Sequence, residues 1–302
     1  MYNKMTYICE NEYQNFFNLP NVNGIGIGNK IISGIDTLSP CLKVMVIKKV
    51  SKEELQLNEV IPKEYKGIPT DVVEIGEIYA HGNTGKIRPA QGGYSIGVAG
   101  NSSVGTLGCL VSNGTGSALK TYILSCNHVI ALENTAPIGS LILQPGQGDG
   151  GLNPGDGIAN LSAFVPVNFS SGGNLVDCAI AQVLSTTLVS SQIASIGNIT
   201  GIASALVGGF IQKSGRTTGY TTSTIQSINT TLIVNYSGGK QATFIRQITT
   251  GPMSNSGDSG SIGLDSSNRV LGLLFAGSTG PTGISAYNDI RDVLKSFRAR
   301  LV

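Results

Sequence analysis

From Gly92 onward the chain alternates short apolar runs with turns rich in Gly, Ser, Asn and Thr. Stretches 93–98, 105–111, 120–125, 177–183, 209–212, 220–228, 231–236, 243–248, 260–264 and 270–276 each read as a strand. In most of them β-branched and aromatic residues cluster between turn formers. Many short strands at this spacing predict an antiparallel barrel or sandwich. Roughly 210 residues are enough for two small barrels. The first would cover about 92–195 and the second about 200–285, with a break near 190–204. Tyr287, Ile290, Leu294 and Phe297 then recur at helical spacing, so a C-terminal helix is expected over 286–302.

The first 80 residues follow another pattern. Tyr13, Phe16, Phe17 and Leu19 form the apolar face of a short helix. Val22 through Gly28 alternates Gly with Ile, a strand whose glycines imply close backbone packing or a bend. Stretches 41–47 and 71–78 read as two more strands, and Ser51-Lys52-Glu53-Glu54 opens a brief helix as a capping box. The expectation is a small α+β domain over 1–80 and a polar linker over 81–91. A mainly β domain over 92–302 follows. The Gly-Ile repeat lacks the spacing of a phosphate-binding fingerprint, and no long helix follows it, so it is read as structure.

Charge sharpens this division, because more than half of the charged residues fall in the first 91 positions. Over the whole chain they make up only 13%, while Gly accounts for 41 of 302 residues, which suits a turn-rich β fold. A net charge of +2 gives no electrostatic reason for a nucleic-acid or anionic-membrane partner. No run reaches the ~18 apolar residues of a spanning helix. The N-terminal residues lack the apolar core of a secretory signal and soon reach Glu10 and Glu12. Five cysteines, an odd number without C-x-x-C spacing, argue against a disulfide framework or a zinc site and fit a reducing compartment. A cytoplasmic protein without metal or cofactor is expected.

Candidate chemistry centres on Gly257-Asp258-Ser259-Gly260. A serine between glycines becomes a nucleophile when a base takes its proton and backbone N–H groups hold the oxyanion. The glycines permit a tight turn that would converge the N–H groups of Gly257 and Ser259. Alone, the tetrapeptide is equally ordinary loop chemistry. Of two histidines, His81 lies in the polar linker and reads as solvated. His128 follows the strand ending at Ser125; its own reading is either a general base or a hydrogen-bonded, half-buried imidazole. Three carboxylates could orient it. Asp149 and Asp156 lie in a Gly-rich loop that lacks the acidic density of a calcium site. Asp177 opens an apolar run and better suits a buried partner that fixes a histidine tautomer.

Leu124-Ser125-Cys126-Asn127-His128, Val176-Asp177-Cys178-Ala179-Ile180-Ala181 and Gly257-Asp258-Ser259-Gly260-Ser261 together resemble the three motifs of the trypsin/chymotrypsin-like serine peptidases. Their order and spacing match, and the resemblance covers roughly 92–302. Arg88-Pro89 with Gly92-Gly93-Tyr94, Gln144-Pro145-Gly146 and Lys213-Ser214-Gly215-Arg216-Thr217-Thr218-Gly219 look like an intracellular bacterial branch with plant relatives of the narrow-leaf type.

The resemblance implies two six-stranded antiparallel barrels flanking a cleft, and a serine endopeptidase acting on protein or peptide. His128, Asp177 and Ser259 would form its triad, and Gly257 and Ser259 its oxyanion hole. The substrate pocket would be Met253, six positions before the nucleophile, facing Phe275, Ala276 and Gly277. No acidic residue falls there, so a medium apolar P1 residue is expected. Secreted members pair the Asp before the nucleophile with a new N-terminus. Here Arg216 or Arg246 is expected to serve Asp258 instead. Cys109 and Cys126 are expected as reduced thiols and Cys178 as core. The relatives suggest a homo-oligomer. The alternatives are a non-catalytic scaffold or binding protein on the same fold, and a hydrolase of esters.

Overall fold

The computed structural model describes residues 1–56, 58–75, 82–170, 172–278 and 283–302. The chain divides into two compact units, Met1–Ala80 and His81–Val302.

The first unit carries the helices Tyr2–Asn11 and Gln14–Phe17 and a four-stranded sheet. Its strand order is Val22–Ile32, Ile35–Val46, Ile68–Glu74, Glu64–Tyr65, and the central pair is parallel. Met5, Ile8 and Phe16 pack with Leu42, Val44 and Ile68 as its core. Of the expected helix face, Phe16 is buried, whereas Phe17 is exposed. The longer helix before it has only Met5 and Ile8 as buried anchors, too few to stand out as a periodic stripe. The glycines at 24 and 28 make room for the neighbouring strand. A Cβ on Gly24 would stand 3.0 Å from Met45 Sδ, and one on Gly28 3.0 Å from Lys43 Cε. The brief helix is a 3-10 turn, Lys52–Glu54. The strand expected over 71–78 runs to Glu74, and positions 76–78 lie outside the described residues.

The second unit is a pair of antiparallel barrels. In the second barrel, Gln241–Thr250, Gly219–Asn235, Phe210–Gly215, Ile262–Leu264, Arg269–Gly277 and Ser285–Asp289 pair in that order. The last strand pairs back to the first, closing a ring of six. In the first barrel, Lys120–Ser125, Ala179–Val183, Gly157–Phe164, Leu141–Leu143 and Ser95–Val98 pair in sequence. Gly105–Thr106 joins Ser95–Val98, and Leu110–Asn113 joins Lys120–Ser125. These are two halves of one bent segment, so this ring also closes. The fold is the mainly β double barrel that the sequence led us to expect.

Four local expectations change. Stretches 220–228 and 231–236 form one strand, Gly219–Asn235, interrupted by bulges near Asn229, whose φ is +55°. Residues 82–91 are not a free linker. Asn83 Nδ2 donates to Gly93 O (3.0 Å), Arg88 donates to Gln144 O (2.9 Å), and Ala90–Gly92 pairs with Val189–Ile193. The break near 190–204 is thus partly sheet. At the end of the chain the helix is only Ile290–Phe297, capped by Asp289 and followed by a strand, Arg300–Leu301. Tyr287, expected on the helical stripe, is instead a fully buried strand residue.

Candidate active site

The strand Lys120–Ser125 runs directly into a single helical turn, Asn127–Ile130. Asn127 is fully buried and clamps that turn: its Nδ2 donates to Val165 O (2.7 Å) and its Oδ1 accepts from Asn134 N (3.0 Å). His128 is thereby set at the mouth of the first barrel with 22% of its side chain exposed. Asp177 is fully buried just before the strand Ala179–Val183. Its Oδ2 lies 2.7 Å from His128 Nδ1, and its Oδ1 accepts from the His128 backbone N–H at 3.2 Å. Facing a carboxylate, Nδ1 carries the ring proton and Nε2 keeps its lone pair. The Asp177 N–H donates to Asn288 Oδ1 (2.9 Å), and Asn288 Nδ2 donates to Gln247 Oε1 (2.7 Å).

Burial alone would push the imidazole's pKa down. The Asp177 charge, its hydrogen bond and the Glu133 charge outweigh this and raise it above its ordinary value. For Asp177, burial favours the neutral acid. The His128 charge and the hydrogen bonds from His128 and Tyr236 prevail and hold its pKa below the usual range. Cys126 Sγ belongs to the same cluster of ligand-type atoms, within 4.8 Å. It donates to Leu274 O (3.1 Å), and burial pushes its thiol well up, so it is a neutral donor and not a thiolate. All five cysteines are free, and Cys109, Cys126 and Cys178 are buried.

Ser259 occupies a turn between Gly257 (φ +96°) and Gly260 (φ +98°), a backbone shape that glycine adopts without penalty. One threonine of the first barrel ties this turn down. Thr106 N–H donates to Ser259 O (2.8 Å), its Oγ1 donates to Gly257 O (2.9 Å), and its carbonyl accepts from Ser125 Oγ (2.8 Å). A Cβ on Gly260 would collide with Thr106 O and Ser125 Oγ. The turn bearing Ser259 and the strand leading to His128 are therefore locked through shared hydrogen bonds. Both side chains line one cleft of about 500 Å³. The Ser259 hydroxyl itself donates to Phe275 O at 3.4 Å, not to His128. Among the described residues, the N–H groups of Gly257 and Ser259 have no protein acceptor, while those of Asp258 and Gly260 do. Two free donors flanking a serine hydroxyl are suited to receive an anionic oxygen.

Asp258 departs from expectation. Neither arginine serves it: Arg216 pairs with Asp149, and Arg246 with Asp292. Its cation is Lys213, 3.7 Å away and equally buried. Asp258 also accepts from the N–H groups of Thr217 (2.8 Å), Thr218 (3.0 Å) and Asn255 (2.9 Å) and from Thr218 Oγ1 (2.7 Å). The loop carboxylates are structural too. Asp149 accepts from Arg216 and Ser95, and these bonds overcome its burial and lower its pKa. Asp156 pairs with Lys86 and Arg88. His81 lies outside the described residues.

Phe275, Ala276 and Gly277 line the cleft. Met253 does not. It packs with Ile211, Ile225, Ile248, Leu271, Leu274 and Tyr287 in the core of the second barrel. Its neighbour Ser254 lines a recess of about 190 Å³ with Ser256, Ala276 and Gly277, and shares a 2.7 Å hydrogen bond with Ser285. No carboxylate lines this recess among the described residues. The sequence reading also missed Tyr236, whose hydroxyl donates to Asp177 Oδ2 at 2.6 Å.

Solved structures match this architecture. Over 70% of this chain and 99% of the other, it is similar to Thermobifida fusca Protease A, with 21% identity and a TM-score of 0.51. A Nocardiopsis protease gives the same coverage and identity with a TM-score of 0.52. A glutamic-acid-specific serine protease that uses a histidine triad in substrate binding matches over 70% of this chain and all of its own, with 20% identity and a TM-score of 0.52. The fold is thus that of the trypsin/chymotrypsin-like bacterial serine proteases. No family model matches the sequence, and no curated protein does.

Proposed function

We propose that the protein is a serine endopeptidase. The observation that carries this reading is the 2.7 Å bond from His128 Nδ1 to buried Asp177, opening on the same cleft as Ser259. In this reading Ser259 Oγ attacks the scissile carbonyl carbon and His128 Nε2 takes its proton. The N–H groups of Gly257 and Ser259 hold the resulting oxyanion. As the intermediate collapses, His128 returns the proton to the departing amine and an acyl ester remains on Ser259. Water, deprotonated by His128, then hydrolyses that ester and regenerates the hydroxyl. Asp177 keeps the imidazole in the correct tautomer and stabilises its charged form.

The recess beside Ala276 and Gly277 supports a small to medium, uncharged P1 residue, since neither an acidic nor a basic side chain lines it among the described residues. Five free thiols support action in a reducing compartment. One observation favours a non-catalytic binding role: the Ser259 hydroxyl bonds to Phe275 O instead of His128. Unliganded catalytic groups are often misaligned in this way and tighten only with substrate. Incubation with a denatured proteome, followed by sequencing of new peptide termini, tests the proposal. New termini with an uncharged P1 consensus, absent for Ser259→Ala, are expected. A proteome left intact, or Arg and Lys at P1, would contradict it.

A further inference from the structure

Tyr236 stands where the strand Gly219–Asn235 turns into Gln241–Thr250, at the tip of a long hairpin of the second barrel. Its hydroxyl reaches Asp177 of the first barrel at 2.6 Å, on the same oxygen that serves His128 Nδ1. The ring is held on three sides. Phe169 and His128 meet it edge-on, with centroids 5.2 and 6.0 Å away, and Phe244 stacks at 6.3 Å. The hairpin tip is clasped by Glu133, five residues after His128. Glu133 accepts from Ser237 N–H (3.0 Å) and Ser237 Oγ (2.8 Å) and pairs with Lys240 Nζ at 2.5 Å. Tyr236 N–H donates to Lys240 O at 2.8 Å and closes the turn. The loop that carries the histidine and the hairpin that carries the tyrosine are therefore fastened to each other.

We propose that Tyr236 is a positioning residue for His128, acting through Asp177, and that the Glu133 clasp delivers it. The proposal rests on the peptidase reading of the same site. With two donors on Oδ2, the phenol disperses carboxylate charge that would otherwise stabilise the imidazolium. Removing the hydroxyl concentrates that charge on Nδ1–H and makes His128 more basic. It also frees the carboxylate to rotate, so fewer imidazoles face Ser259 correctly. The other groups around the pair do not mimic this. Cys126 and Cys178 are neutral thiols, kept so by burial. Glu133 adds a fixed charge balanced by Lys240.

Tyr236→Phe keeps the ring and removes only the hydroxyl. Fluorophosphonate labelling rates of the full chain are measured between about pH 5 and 9, with kcat and KM on a cleaved peptide. The expected result is a plateau about tenfold lower with KM within twofold of wild type. The half-rise of the labelling curve should also shift to higher pH by a few tenths of a unit. Should the phenylalanine variant fold poorly, 3-fluorotyrosine at position 236, a stronger donor, should shift the half-rise downward. A half-rise unmoved by these replacements overturns the inference, whatever the plateau. A wild type that takes no label at any pH fails the peptidase reading itself, and the inference with it. The two failures are therefore distinct.

Discussion

Lys213 Nζ and Asp258 Oδ2 lie 3.7 Å apart, and both side chains are completely buried. Lys213 also donates to Thr218 Oγ1 and to Gly219 O (3.0 Å). Burial pushes the lysine's pKa down, with the Asp258 charge acting against it. The aspartate that precedes Ser259 is thus compensated from within the second barrel, and the turn bearing Ser259, already tied to Thr106 of the first barrel, draws a second anchor from the strand Phe210–Gly215.

Lys213→Met removes that cation and leaves a buried carboxylate. Breaking one side of such a pair costs about 3–5 kcal/mol. A correspondingly lower denaturant midpoint is expected, together with loss of Ser259 reactivity, because the turn loses its tether. An unchanged midpoint with full reactivity would mean that the four hydrogen bonds to Asp258 hold it without the lysine.

In the proposed mechanism His128 is the general base, and against its burial the Asp177 charge and hydrogen bond hold its pKa above the ordinary value. A general base must be neutral, so kcat/KM should rise with pH through a value above the ordinary ~6.5 of histidine. Stability follows the opposite sense. A raised folded pKa stabilises fully below about 6.5 and loses its contribution as pH rises through the folded value. Asp177, with a lowered pKa, contributes above about 3.9 and loses its contribution as pH falls through its folded value. Denaturant unfolding of wild type and His128→Ala at acidic and alkaline pH checks this: the difference between them should shrink toward alkaline pH.

Gly257→Ala tests the turn. The position has φ +96°, and a Cβ would strike Thr217 Oγ1 and approach Arg216 Cδ to 3.1 Å. The strain should displace the free N–H of Gly257. Loss of one oxyanion donor typically costs about 10²–10³ in rate. Peptide hydrolysis should fall by that order with KM little changed. A fall confined to KM would argue that Gly257 contacts the ground state alone.

The barrels were legible because strand periodicity repeats over many short runs. Strands such as Leu141–Leu143 and Gly157–Phe164 escaped notice, since they adjoin a stretch crowded with Gly, Asn and Pro that reads as loop. His128 and Asp177 stand out because their segments, together with Gly257-Asp258-Ser259-Gly260-Ser261, resemble the three motifs of the trypsin/chymotrypsin-like serine peptidases; their apolar neighbours alone leave His128 open between a general base and a half-buried imidazole. Tyr236 carried no such mark: it meets Asp177 across the barrels, and its local sequence is an ordinary strand end. Lys213 was passed over for the two arginines because nothing in Gln212-Lys213-Ser214 says which face of the strand turns inward. Counting back from Ser259 located the pocket by distance along the chain, and that led to Met253. Its side chain turns into the barrel core, and it is Ser254 beside it that faces the recess.

The proposed mechanism makes Ser259 a nucleophile activated by His128 and Asp177. Its most direct test is intact-protein mass spectrometry after fluorophosphonate treatment, with peptide mapping of the adduct. One adduct is expected, on Ser259, absent in Ser259→Ala and formed about 10⁴-fold more slowly in Asp177→Asn. No adduct on the wild type, or an equal rate in Asp177→Asn, would contradict that mechanism.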